Sequence, residues 1–160
     1  MRLTAAQRRF HRQEMARCFN EAWEYLEKSD RTAEDDRKLL HLVHSARRHA
    51  ALIGSPRNLA VGDWQISRAY AALHEPRLAL AYATSCLETC QRHELSDILC
   101  TAYEAMARAY QAADDPKSAR SYVAKALAAL RSADLDPDDR KVYLSQIGET
   151  RKLIPGPTRG

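Results

Sequence analysis

A chain of 160 residues is of single-domain length, and at that size folding hides roughly 70% of the surface the unfolded chain exposes, so the fold needs no covalent staple. Its 45% apolar and 29% charged residues, with five Gly and two Phe, exclude a disordered or fibrous protein and match a helical globular one. The net charge of +4, from 25 Lys and Arg against 21 Asp and Glu along the same helices, does not by itself argue for nucleic acid.

The first segment, Met1-Arg-Leu-Thr-Ala-Ala-Gln-Arg-Arg-Phe-His-Arg, has basic residues but no apolar run behind them. No stretch approaches the 18 or more apolar residues of a spanning helix, so a cytoplasmic chain without a membrane span is expected. Arg8, Arg9, Arg12 and Arg17, with His11, form the best electrostatic case for nucleic acid. Phosphate contacts of that kind need a broader one-sided basic face, and Leu3, Ala6, Phe10 and Met15 fit a helix that docks on the rest of the chain.

From about residue 56 the chain repeats. Ile66-Ser-Arg-Ala-Tyr-Ala-Ala is answered by Met106-Ala-Arg-Ala-Tyr-Gln-Ala, and Pro76, Ala79, Tyr82 and Leu87 are answered by Pro116, Ala119, Tyr122 and Leu127, a period of 40. A fixed period between about 20 and 50 residues marks stacked supersecondary units that bury their apolar faces on one another. Leu59, Gly62, Ile66, Ala69, Tyr70 and Leu73 trace one face of a helix from about Pro56 to His74. Glu75-Pro76 and Asp115-Pro116 place an acid before a first-turn proline and predict two further helix starts. A helix over Leu95 to Ala113 lies between them.

Subtracting the period maps Ala79, Tyr82, Ala83, Cys86 and Cys90 onto Leu39, Leu42, Val43, Ala46 and Ala50, with Asp35-Asp36 as the cap. That predicts an earlier unit, whose first helix carries Phe19, Trp23 and Leu26. Adding the period predicts a charged terminal helix from about Pro137 to Leu153 that caps the stack, and Pro155-Gly-Pro-Thr-Arg-Gly160 reads as a frayed tail. The expected fold is all-α: a solenoid of about three antiparallel helix pairs (10–53, 56–93, 95–133) plus a cap at 137–153, about seven helices in one domain spanning 1–154.

Small-x-x-Tyr (Ser67 to Tyr70, Ala107 to Tyr110), an alanine nine residues later (Ala79, Ala119) and Cys86-Leu87 or Ala126-Leu127 resemble the tetratricopeptide repeat, with a unit longer than its usual 34 or so residues. The stretch Arg47 to Tyr70 also resembles small stand-alone bacterial proteins. The repeat resemblance implies a concave groove, lined by the first helix of each unit, that receives a peptide or helix. Carried over by position, the groove holds Glu24 and Lys28, then Trp64 and Arg68, then Glu104 and Arg108, with Lys28, Arg68 and Arg108 as a cationic row. Helical projection sets Trp64 and Arg68 away from the apolar stripe of their helix, and exposed Trp and Arg are enriched at interaction hot spots. A protein or peptide partner with acidic groups is therefore expected, and a second copy covering the open end or groove is a further option. The alternative has Arg68 and Arg108 paired with nearby acids and Trp64 packed on the next unit.

Chemical motifs are sparse. Cys86, Cys90 and His93 fall at metal-ligand spacing on one helix, with Cys100 as a fourth ligand, yet Cys86 and Cys90 match the packing residues Ala126 and Leu130. His41, His44 and His49 crowd one helix, but only the first two are neighbours on its surface, while His11 and His74 stand apart. No Gly-rich phosphate loop or catalytic triad pattern occurs, so neither enzyme chemistry nor a cofactor is expected, and a helical metal protein remains the alternative.

Overall fold

The computed structural model describes residues 2–156, and its described part is all helical: α1 (Ala5–Leu26), α2 (Ala33–Ile53), α3 (Pro56–Ala72), α4 (Pro76–Arg92), α5 (Leu99–Ala112), α6 (Pro116–Ser132) and α7 (Pro137–Leu153). Successive helices pair as α1/α2, α3/α4 and α5/α6, and α7 packs across α5 and α6. The chain is an α-solenoid closed by a capping helix. None of the described helices is long and apolar enough to cross a membrane. The last four residues of the expected tail, 157–160, lie outside the described part, and the Pro155 carbonyl before them accepts from Arg120 Nη1 at 2.8 Å.

The period recurs in backbone and packing. His74 and Asp114 both adopt left-handed φ (56° and 57°), which lets the Glu75 and Asp115 amides each reach back 2.9 Å to the Tyr70 and Tyr110 carbonyls. Tyr70 stacks on Tyr82 with ring centroids 5.8 Å apart, and Tyr110 stacks on Tyr122 at 5.5 Å. Each pair clamps its helical hairpin beside the turn that closes it. At the same depth in the first of these hairpins, Ser67 donates to the Ala79 carbonyl at 2.8 Å, an approach that only a small side chain allows.

Three apolar clusters run along the stack. Ala22, Leu39, Val43, Ile66 and Ala69 join the first pair to α3. Trp64, Ala79, Ala83, Cys86, Cys90, Ile98, Ala105 and Met106 fill the centre, and Cys100, Ala107, Val123, Ala126, Leu130 and Ile147 seat the cap. The period-shifted positions Leu39, Val43, Ala46 and Ala50 are all buried, as expected for the earlier unit.

Local starts differ from expectation in three places. Thr32, not Asp35-Asp36, caps α2: its hydroxyl accepts from the Asp35 amide while the Asp35 carboxylate accepts from the Thr32 amide, a reciprocal box. Asp115 caps α6 through the Ser118 amide, but the longer Glu75 side chain makes no capping bond to α4. Helix α5 begins at Leu99 rather than Leu95. Glu94 turns left-handed (φ 52°), and residues 95–98 form a tight turn in which the Leu95 amide closes on the Cys90 carbonyl.

Candidate functional site

Helices α1, α3, α5 and α7 line the inner side of the solenoid, where a cleft of about 500 Å³ opens between α1 and α7. Trp23, Leu26 and Glu27 form one wall, Val142, Ser145, Gln146 and Glu149 the other, and Arg68, Ala72 and Arg108 the floor. A second hollow of about 300 Å³ shares Trp23, Val142 and Gln146 with the first, and Phe19, Val61, Ile98 and Tyr143 make it apolar. The hollows form one trough with a charged half and an apolar half.

Beneath the charged half lies a buried polar network centred on Glu104, whose residue is 2% exposed. Its Oε2 accepts from Trp64 Nε1 at 2.6 Å, and its Oε1 accepts from Arg68 Nη1 and Arg108 Nε, each at 3.2 Å, and from the Thr150 hydroxyl. Arg68 also reaches Glu149 of α7 at 2.8 Å and lies over the Trp23 and Trp64 rings, 5.2 and 5.8 Å from their centroids. A buried carboxylate needs this many donors, because isolated charge is costly in an apolar interior. Asp63, one residue before Trp64, does the same for the first half of the stack, accepting from Arg47 Nε at 2.6 Å and Ser85 Oγ at 2.7 Å.

Arg108 is the exception within this network. Burial pushes its guanidinium below the ordinary arginine value, with Glu104 pulling the other way. It is bonded only through Nε, to Glu104 and to Thr150 Oγ1 at 3.0 Å, and its two Nη atoms donate to no described residue. Arg108 itself lines the floor of the larger hollow. A planar fork with free donors at the bottom of a cleft is shaped to receive a carboxylate or similar anion.

The expected solvent-facing Trp64 is overturned: it is 3% exposed, because α3 is covered on nearly every side and has no free face for it to occupy. Arg68 and Glu104 are likewise buried, so Trp64, Arg68, Glu104 and Arg108 come together as the floor and foundation of the cleft. Glu24 and Lys28 do not join them. Glu24 is exposed and lines neither hollow, while Lys28 lies past the end of α1 and pairs with Asp35 at 2.9 Å. The expected three-cation row is therefore two cations long. Trp23 and Glu27 take the places given to Glu24 and Lys28, one residue earlier, because residues 27–32 connect the first pair with a longer loop than 73–75 or 113–115. The wall residues Val142, Gln146 and Glu149 were missed; the period had placed their helix as a cap without assigning it a cleft-facing side.

The other candidates separate. Cys86 and Cys90 lie in the central cluster and Cys100 in the terminal one; all are buried thiols, and His93 ends α4 in solvent. Among the described residues no group of three or more His, Cys, Asp or Glu is arranged to hold a metal ion. His44 bonds the Tyr70 hydroxyl at 3.1 Å, and His11, far from isolated, meets His49 with their Nδ1 atoms 2.8 Å apart. The N-terminal basic cluster is divided as well: Arg17 pairs with Glu14 and Glu21, and Arg8 donates to the Ile53 carbonyl. Comparison of the chain with protein-family models, with curated proteins and with solved structures returned no match.

Proposed function

We infer that this chain is a tetratricopeptide-like scaffold that holds a protein segment in the trough between α1 and α7. The observation that carries this reading is the free guanidinium edge of Arg108 at the bottom of a cleft whose adjoining half is apolar. A segment with an acidic side chain and, a turn or so away, an apolar one complements both halves. The lining face of α1 runs from Phe19 to Glu27, about 12 Å at 1.5 Å per residue, which fits roughly two turns of a bound helix laid alongside it. Arg68 and Glu104 serve by fixing Arg108 rather than by touching the partner, since their charges are already engaged.

A random peptide library panned against the protein tests this, followed by fluorescence polarisation of the enriched peptides. The expected consensus pairs an acid with an apolar residue. Arg108→Gln should weaken binding by about tenfold or more, the usual worth of a charge-assisted hydrogen bond, and Val142→Glu should weaken it independently. Enriched peptides that bind both variants as tightly as the parent would place the site elsewhere.

A further inference from the structure

The second helices of the pairs, α2, α4 and α6, form the outer side of the solenoid, and charge is distributed unevenly between the two sides. These three helices carry ten Lys and Arg against four Asp and Glu, whereas the rest of the chain carries fifteen against seventeen. Three of the four acids are already engaged, Glu34 with Lys38, Asp35 with Lys28 and Asp36 with Arg31, and of the ten cations Lys38 and Arg47 are engaged as well, Arg47 with Asp63. Helix α6 has no acid at all. Its Lys117, Arg120, Lys125 and Arg131 are exposed and form no ion pair with a described residue; Lys125 stands 4.4 Å from the centroid of the Tyr122 ring. The period also aligns Arg37, Arg77 and Lys117, all exposed, as a row across the three helices. Glu75, Asp114 and Asp115 sit beside that row at the helix starts, so the field is strongest along the body of α6.

We propose that this outer face binds single-stranded nucleic acid through its phosphates. Its charges are spread, and α6 alone extends them about 21 Å from Lys117 to Arg131, room for several phosphates at 3.4 Å or more per nucleotide. An acidic protein surface would need an apolar, aromatic-rich patch to anchor it, but the exposed positions between the cations of α4 and α6 include Ala81, Thr84, Ser121, Ala124 and Ala128, with Glu88 on α4 the one exposed acid among them. The large exposed apolar residues, Phe10, Leu52, Val142, Leu144 and Leu153, lie outside α4 and α6. The outside of a curved array meets a flat bilayer or a stiff duplex along one line, whereas a flexible strand follows the curve. Overall net charge concealed this face, because acids on the inner helices and turns offset it.

Fluorescence anisotropy with a short fluorescein-labelled oligouridine tests the assignment. Binding should fall about twentyfold between roughly 50 and 200 mM salt if three phosphates are neutralised. Reversing Lys117, Lys125 and Arg131 together to Glu should abolish it, while reversing Lys141, Arg151 and Lys152 on α7, the same change in net charge on another face, should leave most of it. Single Lys117→Gln and Arg131→Gln variants, which leave the fold untouched, should each lower the salt slope by about 0.7. Absence of binding at low salt, equal loss from both triple variants, unchanged slopes in the single variants, or tighter binding to a duplex or to phosphatidylserine vesicles would each overturn the proposal.

Discussion

Trp64 donates its indole N–H to Glu104 across 2.6 Å, and the two residues hold the same place in successive helix pairs, 40 positions apart. One repeat position thus supplies the donor in one unit and the acceptor in the next, and the interface between units is polar at its centre. Glu104→Ala strands the Arg108 guanidinium and leaves Arg68 with Glu149 alone, and should cost about 3–5 kcal/mol in urea unfolding, the range for removing one partner of a buried ion pair. Trp64→Phe keeps the ring and removes one donor, for about 1–3 kcal/mol. A Glu104→Ala loss below about 1 kcal/mol would show that the network contributes little.

Two helical glycines should respond to alanine with opposite sign. A Cβ on Gly62 would lie 2.8 Å from Arg47 Cδ and 3.4 Å from Arg47 Cα, and Arg47 cannot swing aside without leaving Asp63. The strain of about 1–3 kcal/mol outweighs the roughly 1 kcal/mol of helix propensity gained, so Gly62→Ala destabilises. No described residue lies within 4 Å of a Cβ on Gly148, so Gly148→Ala keeps the propensity gain and raises the melting temperature. Equal shifts in thermal unfolding would refute the difference.

Stability should decline as pH falls below the ordinary imidazole range. Burial holds His44 below its usual value; burial first, then the charge of His11, does the same for His49, with Arg17 and Arg48 adding to it and Glu14 opposing. The folded form therefore favours neutral rings, the unfolded chain takes up protons first, and stability present above about pH 6.5 is lost below it. Doubly protonated His11 and His49 also cannot share the 2.8 Å contact, which needs one acceptor nitrogen. Urea midpoints measured from pH 7 to pH 5 should slope downwards, and the slope should shrink in His49→Gln; a flat profile speaks against both rings.

A second acid limb should follow from Asp35. The Thr32 amide, then Lys28, holds its carboxyl at about 2 instead of the usual 3.8. A depressed carboxylate contributes stability above its unfolded value and loses it as pH drops through the folded one, so this limb falls between about pH 4 and 2. Asp35→Asn should flatten that part of the profile without touching the histidine limb.

How far the sequence could be read depended on which surfaces each helix presents. The recurrence of Tyr70 and Tyr82 as Tyr110 and Tyr122 was legible, while their stacking within each hairpin comes from the structure. The register of α2 was legible too, since Leu39, Val43, Ala46 and Ala50 keep the spacing of the later units. Helix α1 lost that register at the loop 27–32, whose length no period constrains. Trp64 was misread for a different reason. Assigning an apolar stripe an opposite, wet face holds for surface helices, and α3 is enclosed by α1, α2, α4 and α5. The outer basic face went unread because net charge averages over inside and outside, and only the pairing of helices separates them.

Stacked repeats that touch only their neighbours tend to open from the ends, one unit at a time. Here a single carboxylate gathers Arg68 of the second pair, Arg108 of the third and Thr150 of the last helix. Release of α7 withdraws one of the Glu104 donors and separates Arg68 from Glu149, so loss of the cap is felt two helices inward. Amide hydrogens near Thr150 should accordingly exchange at rates set by opening of the whole array, not by fraying of a terminal helix.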